Sequence, residues 1–381
     1  MPPIMIVGSG LGGYTLAKEL RKLAPDVPLH IVTRDDGAFY SKPMLSNALA
    51  KGKTPQTLAT ASAEQMAVQL HATIWPHTEV TAIDVAARTV TARGEIVPYD
   101  KLVLAVGAQP IHPPLAGDAA AAVCSVNDLT DYAHLRENIE QARHVAVIGP
   151  GLIGCEFAND LVLAGKEVTV IGPAAEPLDR LLPPEAGRVL REALAAAGVK
   201  WRLGVSVQGV DRHDNALVLR LSDGTTIVAD AVLSAVGLRP NLDLARKAGI
   251  ATRRGIVVDR YLEASTPGVF ALGDCAEVEG LVLPFVMPIM QAARALAKTL
   301  SGTRTAVSYP AMPVVVKTPA HAVVVAPPSP GGEGHWEVTV TEQGARAVYR
   351  DGQGRLLGFA LTGAAVAEKQ SLTKELPPWL D

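Results

Sequence analysis

Apolar positions along the chain fall into short continuous runs of strand length, each followed by a stretch with helical spacing. Ile4-Met5-Ile6-Val7 is such a run. It breaks at Gly8, after which Leu16, Leu20 and Leu23 recur on one helical face until Pro25 closes the helix. Residues 29–33 are a second apolar run, suited to the next parallel strand of a strand–helix–strand unit. The same grammar returns further on: residues 145–148 read as a strand, Ile153, Phe157 and Leu161 as a helix face ending at Gly165, and residues 168–171 as the next strand.

The stretches between and after these units are also patterned. Residues 61–70 predict a helix, residues 74–104 short strands with Gly94 at a turn, and residues 102–110 a buried strand that runs into a breaker. Pro110, Pro113 and Pro114 form a linker. Residues 185–197 predict a helix, followed by strands around a Ser222-Asp223-Gly224 turn. Residues 230–237 form a further buried strand that resembles 100–107, which predicts that the chain crosses back into the first unit there. A strong helix starts at Met287-Pro288 and runs to Leu300, with proline in its first turn. The tail differs in kind. Residues 314–316, 322–326, 336–340, 345–349 and 356–361 are short strands separated by Pro/Gly turns, notably 327–332, and residues 364–376 are helical. This predicts a small α+β domain that can serve as a dimer or lid surface.

The turns joining strand to helix carry the first chemical signal. Gly8-Ser9-Gly10-Leu11-Gly12-Gly13 and Gly149-Pro150-Gly151-Leu152-Ile153-Gly154 both have the G-x-G-x-x-G spacing. The first glycine permits the tight turn, the second lets backbone N–H groups approach a pyrophosphate, and the third lets helix and strand pack closely. One match is weak in a chain with 34 glycines. Two in the same strand–turn–helix context predict two dinucleotides. In such units an acid after the second strand takes the ribose hydroxyls. In the first unit that acid is Asp35, which reads equally as a turn aspartate before Gly37. The second unit has Gly172 at this place, with Glu176 further on. The lack of Arg or Lys between 172 and 179 favours NADH over NADPH, although Arg180 follows closely.

Composition bounds these readings. A chain of 381 residues is too long for one ordinary core and predicts two or three domains. The formal net charge of −3 argues against a nucleic-acid binder, which needs a basic face. No apolar stretch reaches the ~18 to 20 residues of a membrane span, and a strand beginning at Ile4 leaves no room for a signal peptide, so the expected location is cytoplasmic. Cys124, Cys155 and Cys275 lie far apart and form no C-x-x-C pair, so neither a disulfide framework nor a metal site is expected.

Single residues stay ambiguous on this evidence. Lys42, held stiffly before Pro43 in the loop 39–47, is by default a solvated lysine. Asp274 either receives hydrogen bonds from a polyol or forms a capping box with Glu277. Glu156 reads as lying in the first turn of the second glycine helix, where the helix dipole alone favours an acid.

Taken together, the two glycine units, the Val106-Gly107-Ala108 turn, Gly237-Leu238-Arg239-Pro240-Asn241 and the 266–274 segment ending in Gly273-Asp274 resemble the two-dinucleotide-fold flavoprotein reductases. The resemblance spans nearly the whole chain. It implies an α/β fold of two Rossmann-like domains with the NAD domain inserted in the FAD domain: 1–112 and 236–310 for FAD, 113–235 for NAD(P)H, and 311–381 for a small C-terminal α+β domain. Gly8, Gly10, Leu11, Gly13, Asp35, Lys42, Pro43, Val80, Gly107, Asp274, Met287 and Lys317 are then expected at FAD, with Asp274 on the ribityl chain. Gly149, Gly151, Leu152, Ile153, Gly154, Glu156 and Gly237 are expected at the nicotinamide nucleotide. The resemblance also makes Lys42 and Glu156 catalytic, with Glu156 near the nicotinamide and paired with Lys42. Residues 40–46, 314–319 and 374–377 resemble most closely the NADH:rubredoxin reductases and flavorubredoxin reductases of bacteria. This implies electron flow from NADH through FAD to rubredoxin or a similar small iron–sulfur protein, in a monomer or homodimer. An NADH oxidase and a non-enzymatic NADH-sensing flavoprotein stay open, the first disfavoured because residues 40–46 contain no redox cysteine.

Overall fold

The computed structural model describes residues 1–329 and 331–381; Pro330, in the expected 327–332 turn, lies outside the described residues. A first sheet of five parallel strands has the order Val269–Ala271, Lys101–Leu104, Ile4–Val7, Leu29–Val32, Thr73–Trp75. Its central strands are buried on both faces, which is why their sequences are continuous apolar runs and do not alternate. Helices Leu11–Leu23 and Val286–Leu300 pack against one another beside this sheet. One edge strand, Val269–Ala271, comes from far downstream, so the chain leaves the first unit and returns to it. The outgoing strand Ala108–Pro110 and the returning strand Leu238–Pro240 pair antiparallel at the crossing.

Between those two crossings lies a second parallel sheet, in the order Val199–Leu203, Glu167–Gly172, His144–Ile148, Ala231–Ser234. Each unit carries an antiparallel three-stranded insert, Val80–Asp84 with Thr89–Ala92 and Glu95–Pro98 in the first, and Val207–His213 with Ala216–Leu221 and Thr226–Ala229 in the second. The tail forms a five-stranded antiparallel sheet, Val314–Val316, Val323–Ala326, Leu356–Thr362, Gly344–Arg350, His335–Thr341. It packs on helix Pro184–Ala196 of the second unit, and Val316, Val323, Ala345 and Ala347 share one core with Phe157 and Leu190. The final helical stretch is divided into a 3-10 segment Gly363–Glu368 and an α-helix Lys369–Glu375.

Part of the expected 39–47 loop is a 3-10 helix, Lys42–Asn47, with Pro43 in its first turn. This is consistent with the fixed φ of proline at a helix start. The capping-box reading of Asp274 and Glu277 is corrected. Glu277 is buried and accepts instead from the backbone N–H groups of Arg254 (2.8 Å) and Gly255 (3.0 Å), leaving Asp274 in a short 3-10 turn, Gly273–Cys275.

The two glycine turns superimpose in their physics. Gly8 and Gly149 have φ of +109° and +108°, which L side chains rarely adopt. A Cβ on Gly13 would lie 2.0 Å from the Gly8 carbonyl oxygen, and one on Gly154 would lie 1.8 Å from that of Gly149. By contrast, a Cβ on Gly10 or Gly151 would meet no heavy atom within 4 Å. We therefore expect Gly13→Ala and Gly154→Ala each to cost about 1–3 kcal/mol of stability. Gly10→Ala and Gly151→Ala should stay within about 0.5 kcal/mol. Thermal unfolding of the four variants checks this contrast.

Candidate active site

The site assembles at the carboxyl ends of the two parallel sheets. In the first unit Gly10 precedes helix Leu11–Leu23 as an N-cap without a side-chain capping bond, so the helix presents its first N–H groups at the glycine turn. Asp35 forms the turn read for it and also braces the glycine loop. Its Oδ1 accepts from Gly37 N (3.1 Å), closing a turn, and from Ser9 Oγ (2.9 Å) and Thr33 Oγ1 (2.5 Å), which ties it to the glycine loop. Gly107, at φ +64°, is fixed by Asn241, whose backbone N–H donates to the Gly107 carbonyl (3.0 Å) and whose side chain donates to the Val106 carbonyl (2.7 Å). Val80 is buried at the start of the first insert, and Met287 is 46% exposed at the start of helix Val286–Leu300.

Lys42 and Asp274 arrive from opposite ends of this unit, Lys42 opening the 3-10 helix and Asp274 following the edge strand. Burial draws the Lys42 ammonium below its usual range while Asp274 pulls it back up. Burial likewise pushes the Asp274 carboxyl above its usual range, and Lys42 opposes this. The two sense each other's charge, yet neither has a hydrogen-bond partner or ion pair among the described residues. Half-buried opposite charges held apart without partners suit a ligand rich in both donors and acceptors. The open space at Gly10 suits its pyrophosphate. The donor set of this chain thus fits FAD.

Glu156 is fully buried, and in the second turn of helix Leu152–Leu163, not its first. Its Oε2 accepts from the Ser46 hydroxyl and from the Lys317 ammonium, and its Oε1 accepts from the Lys317 backbone N–H at 2.8 Å. The expected pairing with Lys42 is therefore corrected. The 3-10 helix turns Ser46 toward Glu156, and the cation comes from the C-terminal domain. On the same helix Asp160 accepts from Leu49 N (2.8 Å) and Ala50 N (3.2 Å), and Asn159 Oδ1 accepts from Ala320 N (3.0 Å). Reasoning from sequence missed Ser46, Asn159 and Asp160. A signal was there: the last two and Glu156 are the only polar side chains of an otherwise apolar helix, at spacings that put them side by side.

In the second unit the turn Gly149, Gly151, Leu152, Ile153 and Gly154 is followed by Gly237, at φ +114° on the returning segment. Ile153, Leu238 and Ile111 remain about 40% exposed, at 39%, 39% and 40%. The profile of the pyridine nucleotide-disulphide oxidoreductase family matches residues 2–299.

The chain belongs to this family.

A second profile, the rubredoxin binding C-terminal domain, matches residues 306–376. The chain is 48% identical to a rubredoxin-NAD(+) reductase of Alcanivorax borkumensis over 378 residues, 99% of each chain. It is 40% identical to the nitric oxide reductase FlRd-NAD(+) reductase of Vibrio vulnificus, over 98% of each chain. The fold matches the crystal structure of a ferredoxin reductase from Rhodopseudomonas palustris with a TM-score of 0.89 and 26% identity, covering 99% of this chain and 96% of that one.

Within this pyridine nucleotide-disulphide oxidoreductase the three cysteines are free. Burial, with Glu156 adding to it, pushes the Cys155 thiol up to about 12, and burial does the same to Cys275. Neither is a thiolate at neutral pH, so neither is a nucleophile. Iodoacetamide applied to the native protein should leave Cys155 and Cys275 unmodified by peptide mass analysis, with modification confined to half-buried Cys124. Rapid labelling of Cys155 would contradict the buried, protonated state described here.

Proposed function

We propose that this chain carries electrons from NADH through FAD to rubredoxin or a similar small iron–sulfur protein. The observation that carries this reading is a junction: Lys317, in the part of the chain matched by the rubredoxin-binding profile, reaches the buried Glu156 of the helix that follows the second glycine turn. FAD, when bound, accepts a hydride from NADH and passes the electrons on singly to a one-electron acceptor.

The protein's part is binding, orientation and charge. The first glycine turn, Asp35 and Asp274 hold FAD, and Lys42 sets the charge beside it. The second glycine turn, with Gly237 and exposed Ile153, receives NADH. Glu156 stays fixed by Ser46 and Lys317, so that it orients the groups around the nicotinamide and is not free to swing. On this reading residues 1–112 and 236–310 hold FAD, 113–235 hold NADH, and 311–381 receive the carrier. No helix among the described residues is long and apolar enough to cross a membrane. We place the protein in the cytoplasm, where NADH is at hand and its three thiols stay reduced.

Stopped-flow mixing of the NADH-reduced protein with rubredoxin, ferredoxin or oxygen tests the reading. Reoxidation should be fastest with rubredoxin and slow with oxygen; fast oxygen consumption without a carrier would favour an NADH oxidase instead. In the same apparatus Lys42→Met should slow reduction by NADH on the order of ten- to a hundredfold, as expected when one preorganised charge is removed. An unchanged rate would leave Lys42 with no part in the chemistry.

A further inference from the structure

The second dinucleotide unit lacks the acid that such units place at the end of their second strand, and the structure gives the reason. The strand Glu167–Gly172 ends in glycine, and a Cβ there would lie 2.1 Å from Cδ and 2.7 Å from Cγ of Pro150. Pro150 is the middle residue of the glycine turn, so its ring occupies the space a strand-end carboxylate needs. With Pro150 in place, no side chain fits at 172 without the turn giving way.

The chain after Gly172 folds back onto this same turn. Leu178 N–H donates to the Pro150 carbonyl at 2.9 Å, and Leu178 is held at φ +57°, a conformation a leucine takes only when its surroundings impose it. At the other end of the segment the Ala174 carbonyl accepts from Gly204 N (3.1 Å) and the Gly172 carbonyl from Val205 N (3.2 Å). Residues 173–178 are thus pinned beside the glycine turn, and the one carboxylate they contain is Glu176.

Glu176 is itself braced. The stem of its side chain packs on Gly187, where a Cβ would come within 2.9 Å of the Glu176 Cβ, and its Oε2 lies 3.2 Å from Arg191 Nε with the side chain 18% exposed. Oε2 is buried without a hydrogen bond, and Oε1 has no partner among the described residues. The carboxylate is therefore held in place by charge with its acceptor capacity largely unused.

We propose that Glu176, braced by Arg191, takes over the ribose-reading role that Pro150 denies to position 172: it accepts from the adenosine ribose hydroxyls of NADH and rejects a 2′-phosphate. The assignment rests on the reading of this chain as an NADH-dependent enzyme and names the residue that selects the nucleotide. Arg191 is already engaged by Glu176, so an incoming 2′-phosphate meets a carboxylate, with no Arg or Lys within residues 172–179.

Calorimetric titration of the oxidised holoenzyme with ADP-ribose and with 2′-phospho-ADP-ribose tests this without turnover. The wild type should prefer ADP-ribose. Glu176→Gln should lower that preference by about tenfold or more, the scale of one hydrogen bond to a charged group, and Glu176→Asp should restore part of it. Loss of packing alone would weaken both ligands alike and leave the ratio unchanged, which would overturn the proposal. Pro150→Ala/Gly172→Asp returns a carboxylate to the strand end, and in that background Glu176→Gln should no longer move the ratio. A shift of equal size in both backgrounds would also overturn it. Failure of the wild type to bind either ligand would contradict NADH use itself, and the assignment with it.

Discussion

A carboxylate removed from water must be met by donors or a cation, and Glu156 is fully buried. Its partners come from distant parts of the chain: Ser46 is 110 residues upstream and Lys317 is 161 downstream. One side chain therefore fixes three pieces against one another, the 3-10 helix of the first unit, the glycine helix of the second and the residue that follows the first strand of the C-terminal sheet. Asp160 and Asn159 extend the same seam by binding the backbone at 49–50 and at 320. Because every partner on this seam faces a buried polar group, a shift of any one piece leaves an acceptor or a charge unpaired, which costs more than the contact itself contributes.

This seam joins the pieces of chain that carry the two glycine turns. The two glycine turns have nearly the same backbone, so the local motif alone cannot say which nucleotide goes where. What separates them is what each sheet brings to its turn. The first turn is bordered by Asp35, by Lys42 and by Asp274 on a strand that arrives after the whole second unit. The second is bordered by Pro150 and the folded-back 173–178 segment. The helix carrying Glu156 begins at the second turn, so the residue that binds the C-terminal domain is also one helical turn away from that glycine loop.

Much of this was legible in the sequence. Continuous apolar runs marked the parallel strands because both faces are buried, but the likeness of 230–237 to 100–107 marks equivalent places and not the return itself: Ala231–Ser234 lies beside the second glycine strand as Lys101–Leu104 lies beside the first. The glycine turns were readable because their demands are local: a positive φ at Gly8 and Gly149, and no room for a Cβ at Gly13 and Gly154. Pairings over a hundred residues were not. Lys42 directly precedes a proline and Lys317 lies two residues before one, and nothing in the periodicity says which one meets Glu156. The same holds for Glu277, whose i, i+3 spacing from Asp274 suggested a cap, although its carboxylate is satisfied by N–H groups more than twenty residues upstream. Three polar residues on the otherwise apolar helix Leu152–Leu163 were the one sign that a buried polar seam existed.

Hydrogen–deuterium exchange of Glu156→Ala against the wild type tests the central claim most directly, because it reads each piece of the seam separately. Removing the carboxylate should speed exchange in residues 42–50 and in residues 314–321 together, by about tenfold or more, while the strands of both parallel sheets keep their protection. Unchanged protection in both segments, or loosening of only one of them, would contradict the account in which a single buried carboxylate holds the three pieces in register.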